Sequence, residues 1–302
     1  MSNAPALIAL DWGTSSLRAY LLDHNGAVLQ SRTKGPGIMR VKDGNFAAAL
    51  TDFCHGWPNL PRLACGMIGS RQGWHEAPYL PCPADVSALA AQLLSTTSSN
   101  GDKLLLVPGV RRVDDSGVSD VMRGEETQIL GAHDANAAAE LFVLPGTHSK
   151  WVLVERGSIS WFCTFLSGEL YQVLSEHSIL GKMITADAAP TDEAFDRGVA
   201  AGLSGPLLRQ LFSARTLALD EQLKPGEVSA YLSGLIIGAE IRQAIAACPV
   251  APTEVTLIAT QHLTSRYLLA LARAGVHARP GPADAAAAGL AQIATAAGIL
   301  TS

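Results

Sequence analysis

"ALIALDWGTSSLRAYLLDHNGAVLQS", residues 6–31, decides the fold. An apolar run, Ala6 to Leu10, stops at Asp11, turns on Gly13-Thr14-Ser15, and resumes with Leu17, Ala19 and Leu21 alternating with Arg18 and Tyr20. A short continuous apolar run reads as a strand covered on both faces, and the period-two stretch reads as a second strand beside it. Asn25-Gly26 is a type I′ hairpin signal, so Val28–Ser31 is expected to return as a third. "LFVLPGTHSKWVLVERGSISWFC" (141–163) repeats the rhythm, with Gly146-Thr147-His148 as its first turn and Arg156-Gly157 as its second. Leu144 stands where the first copy has Asp11.

Working outward, each half predicts the order βββαβαβα. In the first half "NFAAALTDFC" reads as helix, "RLACGMIG" as strand and "DVSALAAQLL" as helix. "KLLLVPG" is then a strand, and a helix begins near "RGEETQILGA". In the second half an amphipathic helix covers 225–248, followed by strand "VTLIA", helix "LTSRYLLALARAG", strand "VHARP" and helix "DAAAAGLAQIATAAG", with 167–213 as a helical insertion. The expected architecture is α/β: one domain over 1–138 and another over 139–302, with a cleft between them. The last helix, 284–298, is expected to pack back toward the domain interface. One continuous α/β domain is the alternative.

Composition narrows the function classes. Of 302 residues 48% are hydrophobic and 16% charged, which predicts a large core rather than a disordered chain. The net charge is −5 and the 22 basic residues are scattered, so neither nucleic acid nor a membrane surface is an expected partner. The five cysteines include no C-x-x-C pair, which suits a reducing compartment and argues against a disulfide framework or a zinc site. "ALIAL" is too short for a signal peptide and no apolar run approaches the ~18 residues of a membrane span. The expectation is a cytoplasmic protein acting on a small molecule; oligomeric state stays open, with a homodimer as one option.

The glycine turns suggest the chemistry. A tight β-turn-β bearing Gly and hydroxyl residues directs backbone N–H and side-chain O–H groups at one concave spot, which suits a phosphate. Two such turns, Gly13-Thr14-Ser15 and Gly146-Thr147-His148, can grip a polyphosphate from both sides. Mg²⁺ prefers one or two carboxylates plus phosphate oxygens, and Asp11 offers one carboxylate beside the first turn only. One metal needs one anchor, so the asymmetry suits a Mg-nucleotide. Taken alone, an Asp before a turn is also an ordinary Asx-turn or cap.

These turns are similar to the two phosphate motifs of the actin-like ATPase superfamily, whose domains are ribonuclease H-like. More narrowly, "LDWGTSSLRAYLLD", "CGMIGSRQGW", "VPGVRRV", "DVMRGEETQILGA", "LPGTHSKWV" and "SGELYQVL" together resemble the 2-dehydro-3-deoxygalactonokinase family from residue 7 to about residue 290. The resemblance implies two actin-like domains and an ATP- and Mg²⁺-dependent kinase. Its implied acceptor is the 6-hydroxyl of 2-dehydro-3-deoxy-D-galactonate. The superfamily's adenosine motif is strand–Gly-Gly–helix. Here that place reads "LIATQHLTSRY", with Ala259-Thr260 instead, so Thr260 is the candidate contact there.

Roles follow in part from chemistry. Phosphoryl transfer needs an aligned hydroxyl, charge neutralisation and a group to receive the proton. The superfamily places an Asp opening the interdomain helix; "DVMRGEETQ" offers Asp120, Glu125 and Glu126, of which Glu125 is favoured because it follows Gly124. Acidic residues in a first helical turn also simply answer the helix dipole. An acidic substrate calls for arginine, with Arg71 and Arg123 as candidates. Gln72 and Trp74 accompany Arg71 in "SRQGW", Trp74 either shielding a cleft or filling a core. Glu169, in Ser167-Gly168-Glu169, is a sugar-hydroxyl contact or part of a helix start. His148 is a phosphate donor or a structural histidine, and Lys150 is expected to be solvated. The rival readings are an actin-fold ATP-binding switch and a phosphatase that uses water as acceptor.

Overall fold

The computed structural model of the chain describes residues 4–97, 103–184 and 191–301. Two compact units emerge, one of residues 1–140, 153–162 and 282–302, the other of 141–152 and 163–281.

The first unit is built on β1 (Pro5–Trp12), β2 (Ser16–Asp23) and β3 (Val28–Pro36), followed by helix α1 (Phe46–Phe53) and strand β4 (Arg62–Cys65). Next come β5 (Tyr79–Pro81), α2 (Val86–Ala91), β6 (Leu94–Thr97), β7 (Lys103–Leu106), β8 (Gly109–Val113), β9 (Ser119–Met122) and α3 (Glu125–Ala132). Six strands form one sheet in the order β3-β2-β1-β4-β7-β6, and β5-β8-β9 form a small separate sheet. β1 runs antiparallel to β2 and parallel to β4, which explains its unbroken apolar run: Leu7 to Leu10 are sealed on both faces. Each such leucine or isoleucine contributes about 1.5–3 kcal/mol by leaving water.

Several expectations are corrected here. The Asn25-Gly26 hairpin is not type I′. Only Gly26 has positive φ (79°); its amide bonds Asp23 O, while Asp23 Oδ1 takes the amides of Asn25 and Ala27. The Asp23 carboxylate thus selects a longer loop with Gly26 in the left-handed region. The helix expected over 85–94 stops at Ala91, and Leu94–Thr97 instead pairs antiparallel with β7 at the sheet edge. Asp120 lies in β9 opposite Arg112, in a strand that the predicted element order did not include. The strand expected to run through "GMIG" ends at Cys65, because Gly66 turns away with φ 92° into a 3-10 turn at Met67–Gly69.

A five-stranded sheet runs in the order β12-β11-β10-β13-β14, formed by β10 (Ala139–Leu144), β11 (Ser149–Glu155), β12 (Ser158–Phe165), β13 (Glu254–Leu257) and β14 (His277–Pro280). Arg156-Gly157 is the turn expected between β11 and β12, and both residues have positive φ, as a type I′ turn requires. Lys150 is not solvated. It is 5% exposed and donates from Nζ to Thr164 Oγ1, because β11 is an interior strand covered on both faces.

The second unit's helices are α4 (Ser167–His177), α5 (Asp192–Ser204), α6 (Leu207–Leu219), α7 (Val228–Ala247) and α8 (Gln261–Arg273), of which α8 packs on β14. α7 is not amphipathic as expected. Its residues are buried on nearly every side, since α4, α5, α6 and α8 all pack on it. Its approach to α5 is backbone to backbone: a Cβ on Gly234 would meet Phe195 O at 2.1 Å, and one on Gly198 would meet Tyr231 O at 2.1 Å.

α9 (Ala285–Ala296) groups with the first unit, on α2 and α3. A Cβ on Gly289 would lie 1.9 Å from Thr127 O, and one on Gly131 would lie 2.1 Å from Ala285 O. The alanine and glycine run of "DAAAAGLAQI" is therefore what lets α9 seat directly on the backbone of α3.

Candidate active site

The first cluster lies at the carboxyl end of β1, where strand direction changes from its antiparallel to its parallel neighbour. Such ends are where α/β sheets place ligands. The register sets Asp11 opposite Arg18 on one side and opposite Cys65 on the other. Arg18 reaches Asp11 at 3.6 Å with its guanidinium 44% exposed. The sequence alone had placed Arg18 only as an outward residue of an alternating strand. Its pairing with Asp11 follows from the cross-strand register.

The turn after Asp11 is fixed from behind. Gly13 N–H donates to Ser16 O, while the amides of Ile38 and Met39 donate to Gly13 O and Thr14 O. Gly37 leaves no room for a side chain, as a Cβ there would sit 2.3 Å from Thr14 O. Thr14 and Ser15 remain exposed on the outer side.

Two glycines bring α3 to this strand end. Gly66 (φ 92°) lies against Trp12 O, and Gly124 (φ 105°) lies against Gly66 Cα; a Cβ on either would come within 3 Å of backbone. Both also hold a backbone conformation that L side chains avoid. Glu125, the first residue of α3, consequently lies within electrostatic reach of Asp11, and the Gln128 side chain donates to Asp11. Burial pushes the Asp11 carboxyl above its usual range; the Arg18 charge pulls it down and the Glu125 charge raises it. Glu125 Oε2 accepts the Arg123 amide at 3.0 Å.

Glu126 is fully buried, with Gly124 N–H donating to Oε2 and Thr127 Oγ1 to Oε1. Burial first, and then the Glu125 charge, push its carboxyl up to about 8. Burial likewise holds the Cys65 thiol neutral, reinforced by the charges of Asp11 and Glu126. Asp120 lies on the β8–β9 hairpin, where its carboxylate accepts the neighbouring Val121 amide.

The two arginines differ sharply. The Arg71 side chain is 86% exposed, with Glu76 at 3.5 Å, and Gln72 is exposed beside it. Arg123 is 7% exposed, lies 4.2 Å from the Tyr79 ring and donates Nη2 to Ala77 O. Its Nε and Nη1, and the nearby loop hydroxyl of Ser70, are buried without a protein partner. Trp74 stacks on Phe46 at 6.3 Å and packs on the core while staying partly exposed.

The second cluster belongs to the other unit. The Gly146-Thr147-His148 turn is gripped by the start of α4: Glu169 N–H donates to Thr147 O, and a Cβ on Gly168 would lie 2.3 Å from Gly146 O. His148 Nε2 and Glu169 Oε2 are 2.5 Å apart at the surface. Beside them a cavity of about 380 Å³ is walled by Ser167, Gly168 and Tyr171 of α4, by Ser229, Ser233 and Ile237 among others of α7, and by α8 residues including His262 and Arg266. A neighbouring, more open cavity of about 620 Å³ includes Thr260, which caps α8 without a side-chain hydrogen bond.

Among the described residues no helix is long and apolar enough to cross a membrane. A family model described as 2-keto-3-deoxy-galactonokinase matches residues 11–293. The chain belongs to that family. The 2-dehydro-3-deoxygalactonokinase of Escherichia coli K12 is 39% identical over 268 residues, covering 86% of this chain and 87% of its own. A Sinorhizobium meliloti crystal structure described as a 2-dehydro-3-deoxygalactonokinase superposes with a TM-score of 0.87 at 34% identity, covering 96% of this chain and 98% of that one. An activator of 2-hydroxyisocaproyl-CoA dehydratase from Clostridium difficile, solved with ADPNP, covers 96% of this chain and 95% of its own at a TM-score of 0.51. At 13% identity it shares the fold alone. The architecture is the α/β fold of the actin-like ATPases and sugar kinases.

Proposed function

We propose that the chain is an ATP-dependent sugar-acid kinase that phosphorylates the 6-hydroxyl of 2-dehydro-3-deoxy-D-galactonate. The observation that carries this reading is the pairing of Asp11 with Glu125 at the carboxyl end of β1, in a chain of a galactonokinase family.

The donor set suits Mg²⁺. Two carboxylates lie within electrostatic reach of one another, and burial together with the Glu125 charge opposes ionisation of Asp11. A divalent cation relieves that repulsion, and Asp11 with the Gln128 amide would hold it through its water shell, as Mg²⁺ prefers. Bound there, it supplies charge neutralisation for the transferring phosphoryl group. Glu125, half-buried and first on α3, is placed to receive the acceptor proton. The exposed hydroxyls of Thr14 and Ser15, with Arg18, are suited to phosphate oxygens.

The second unit holds the nucleotide in this reading. Its 380 Å³ cavity adjoins the Gly146–His148 turn, and is walled by small and apolar groups with a few polar side chains, the usual make-up of a ligand pocket. Thr260 lies on the rim of the adjoining hollow. For the acid, Arg123 has the stronger claim over Arg71: a desolvated guanidinium with two donors lacking protein partners is suited to a carboxylate, with Ser70 beside it.

A coupled assay of ADP release with a panel of sugar acids tests the reading. The expected result is turnover that requires both Mg²⁺ and 2-dehydro-3-deoxy-D-galactonate. ADP release that ignores the acceptor points instead to hydrolysis, and absence of release at millimolar substrate excludes the kinase.

A further inference from the structure

One buried carboxylate outside the chemistry above ties together every wall of the nucleotide cavity. Glu240, on α7, is 2% exposed and has no cationic partner at hydrogen-bond range among its contacts. Four neutral donors converge on it instead. Ser149 Oγ and Trp151 Nε1 donate to Oε1 at 2.7 and 2.9 Å, and the Tyr267 hydroxyl donates to Oε2 at 2.7 Å. The Ser167 hydroxyl supplies the fourth. An isolated carboxylate in an apolar interior is costly unless so satisfied, and a network of this kind specifies one arrangement of the groups that make it.

The positions of those donors give the network its meaning. Ser149 opens β11 and immediately follows the Gly146–His148 turn. Ser167 opens α4, next to the Gly168 whose Cα rests on Gly146 O and the Glu169 whose amide holds Thr147 O. The turn is therefore held at its far end through Ser149 and along its flank through α4, and Glu240 bonds both. Tyr267 adds α8, and Glu240 itself adds α7, so α4, α7 and α8, the three helices lining the cavity, meet at this carboxylate.

We propose that Glu240 is a positioning residue for the nucleotide: it holds the second phosphate turn in register with the cavity beside it. This rests on the reading that the second unit binds the nucleotide. A side chain that merely filled space there would affect stability alone. One that sets the turn against the cavity affects nucleotide affinity selectively, because the candidate sugar-acid groups Arg123 and Ser70 belong to the other unit.

The experiment measures ADP binding by calorimetry, KM for ATP and for the sugar acid, and melting temperature, in the wild-type enzyme, Glu240→Leu and Glu240→Gln. Glu240→Leu is expected to weaken ADP binding and raise KM for ATP by about tenfold or more, with KM for the acid unchanged. Glu240→Gln should recover to within about threefold of wild type. Its amide oxygen can still accept from Ser149 and Trp151, and its N–H can donate to the Tyr267 hydroxyl. Unchanged ADP affinity in folded Glu240→Leu, or a parallel fall for both substrates that tracks melting temperature, overturns the proposal. If Glu240→Leu does not fold, the Ser149→Ala, Ser167→Ala double variant removes only the two donors that adjoin the turn. Selective loss of ADP affinity is expected there too, and unchanged affinity overturns the proposal. ADP binding needs no acceptor, so a wild-type enzyme that binds ADP but phosphorylates no sugar acid would fail the kinase reading without touching this one.

Discussion

Asp11 and Glu125 lie within electrostatic reach of one another although they are 114 positions apart in the chain, and the Glu125 charge raises the proton affinity of the Asp11 carboxyl. The pairing depends on Gly66 and Gly124, whose missing side chains let α3 come down onto the ends of β1 and β4. Arg18, 3.6 Å from Asp11, answers part of that charge, and the proposed Mg²⁺ would answer the rest.

Asp11→Asn should accordingly separate function from stability. Turnover is expected to collapse, because the carboxylate proposed to face Mg²⁺ is gone. Melting temperature should hold or rise slightly, since burial and Glu125 oppose the charge that the substitution removes. Activity and thermal unfolding measured on the same preparation check both halves; near-normal turnover would place the metal elsewhere.

Glu125→Gln is expected to lower kcat by roughly 10²–10⁴-fold, the span of general-base loss, with KM for ATP little changed. Asp120→Asn should be mild, because Asp120 sits on the β8–β9 hairpin opposite Arg112. Steady-state kinetics of the two variants side by side decide the assignment. A dead Asp120→Asn enzyme beside a normal Glu125→Gln enzyme would reverse it.

Arg123→Lys keeps a positive charge and loses the fork. It should raise KM for the sugar acid by roughly ten- to a hundredfold, as expected for losing a charge-assisted pair of about 1.5–3 kcal/mol. Arg71→Ala should leave that KM within about twofold, since its side chain is exposed and its ion pair with Glu76 is at the surface. The two KM values are the readout, with ATP as the control substrate.

Glu126 gives the pH prediction. Its carboxyl is raised from 4.5 to about 8, so the folded protein holds a proton that the unfolded chain has released between those values. More protons bound in the native state means that stability falls as pH rises through that window. The stabilisation is complete below about 4.5 and is lost above about 8. Glu126→Gln keeps an acceptor for Gly124 N–H and a donor for the Thr127 hydroxyl without the titration. It should flatten the dependence of melting temperature on pH and exceed wild type at pH 9 by an amount on the order of a few kcal/mol. Parallel pH profiles would show that Glu126 titrates elsewhere.

What the sequence determined by itself was whatever depends on neighbours in the chain. The apolar run before Asp11, the period-two strands and the Arg156-Gly157 turn are all local, and the βββ starts of both halves could be read from them. The glycine turns and the lone Asp carried the phosphate and metal readings for the same reason. Tertiary structure decided what depends on covering and crossing. Lys150 alternates like a surface residue, yet it is buried because β11 has neighbours on both faces. Leu94 was expected to close a helix but opens a strand, since β7 offers an edge to pair with. Glu125 reaches Asp11 only through Gly66 and Gly124, and Glu240 meets donors 27 to 91 positions away. Side-chain periodicity records which face of an element is apolar; it does not record which other element arrives to cover it, and that arrival is what assembles the carboxylates.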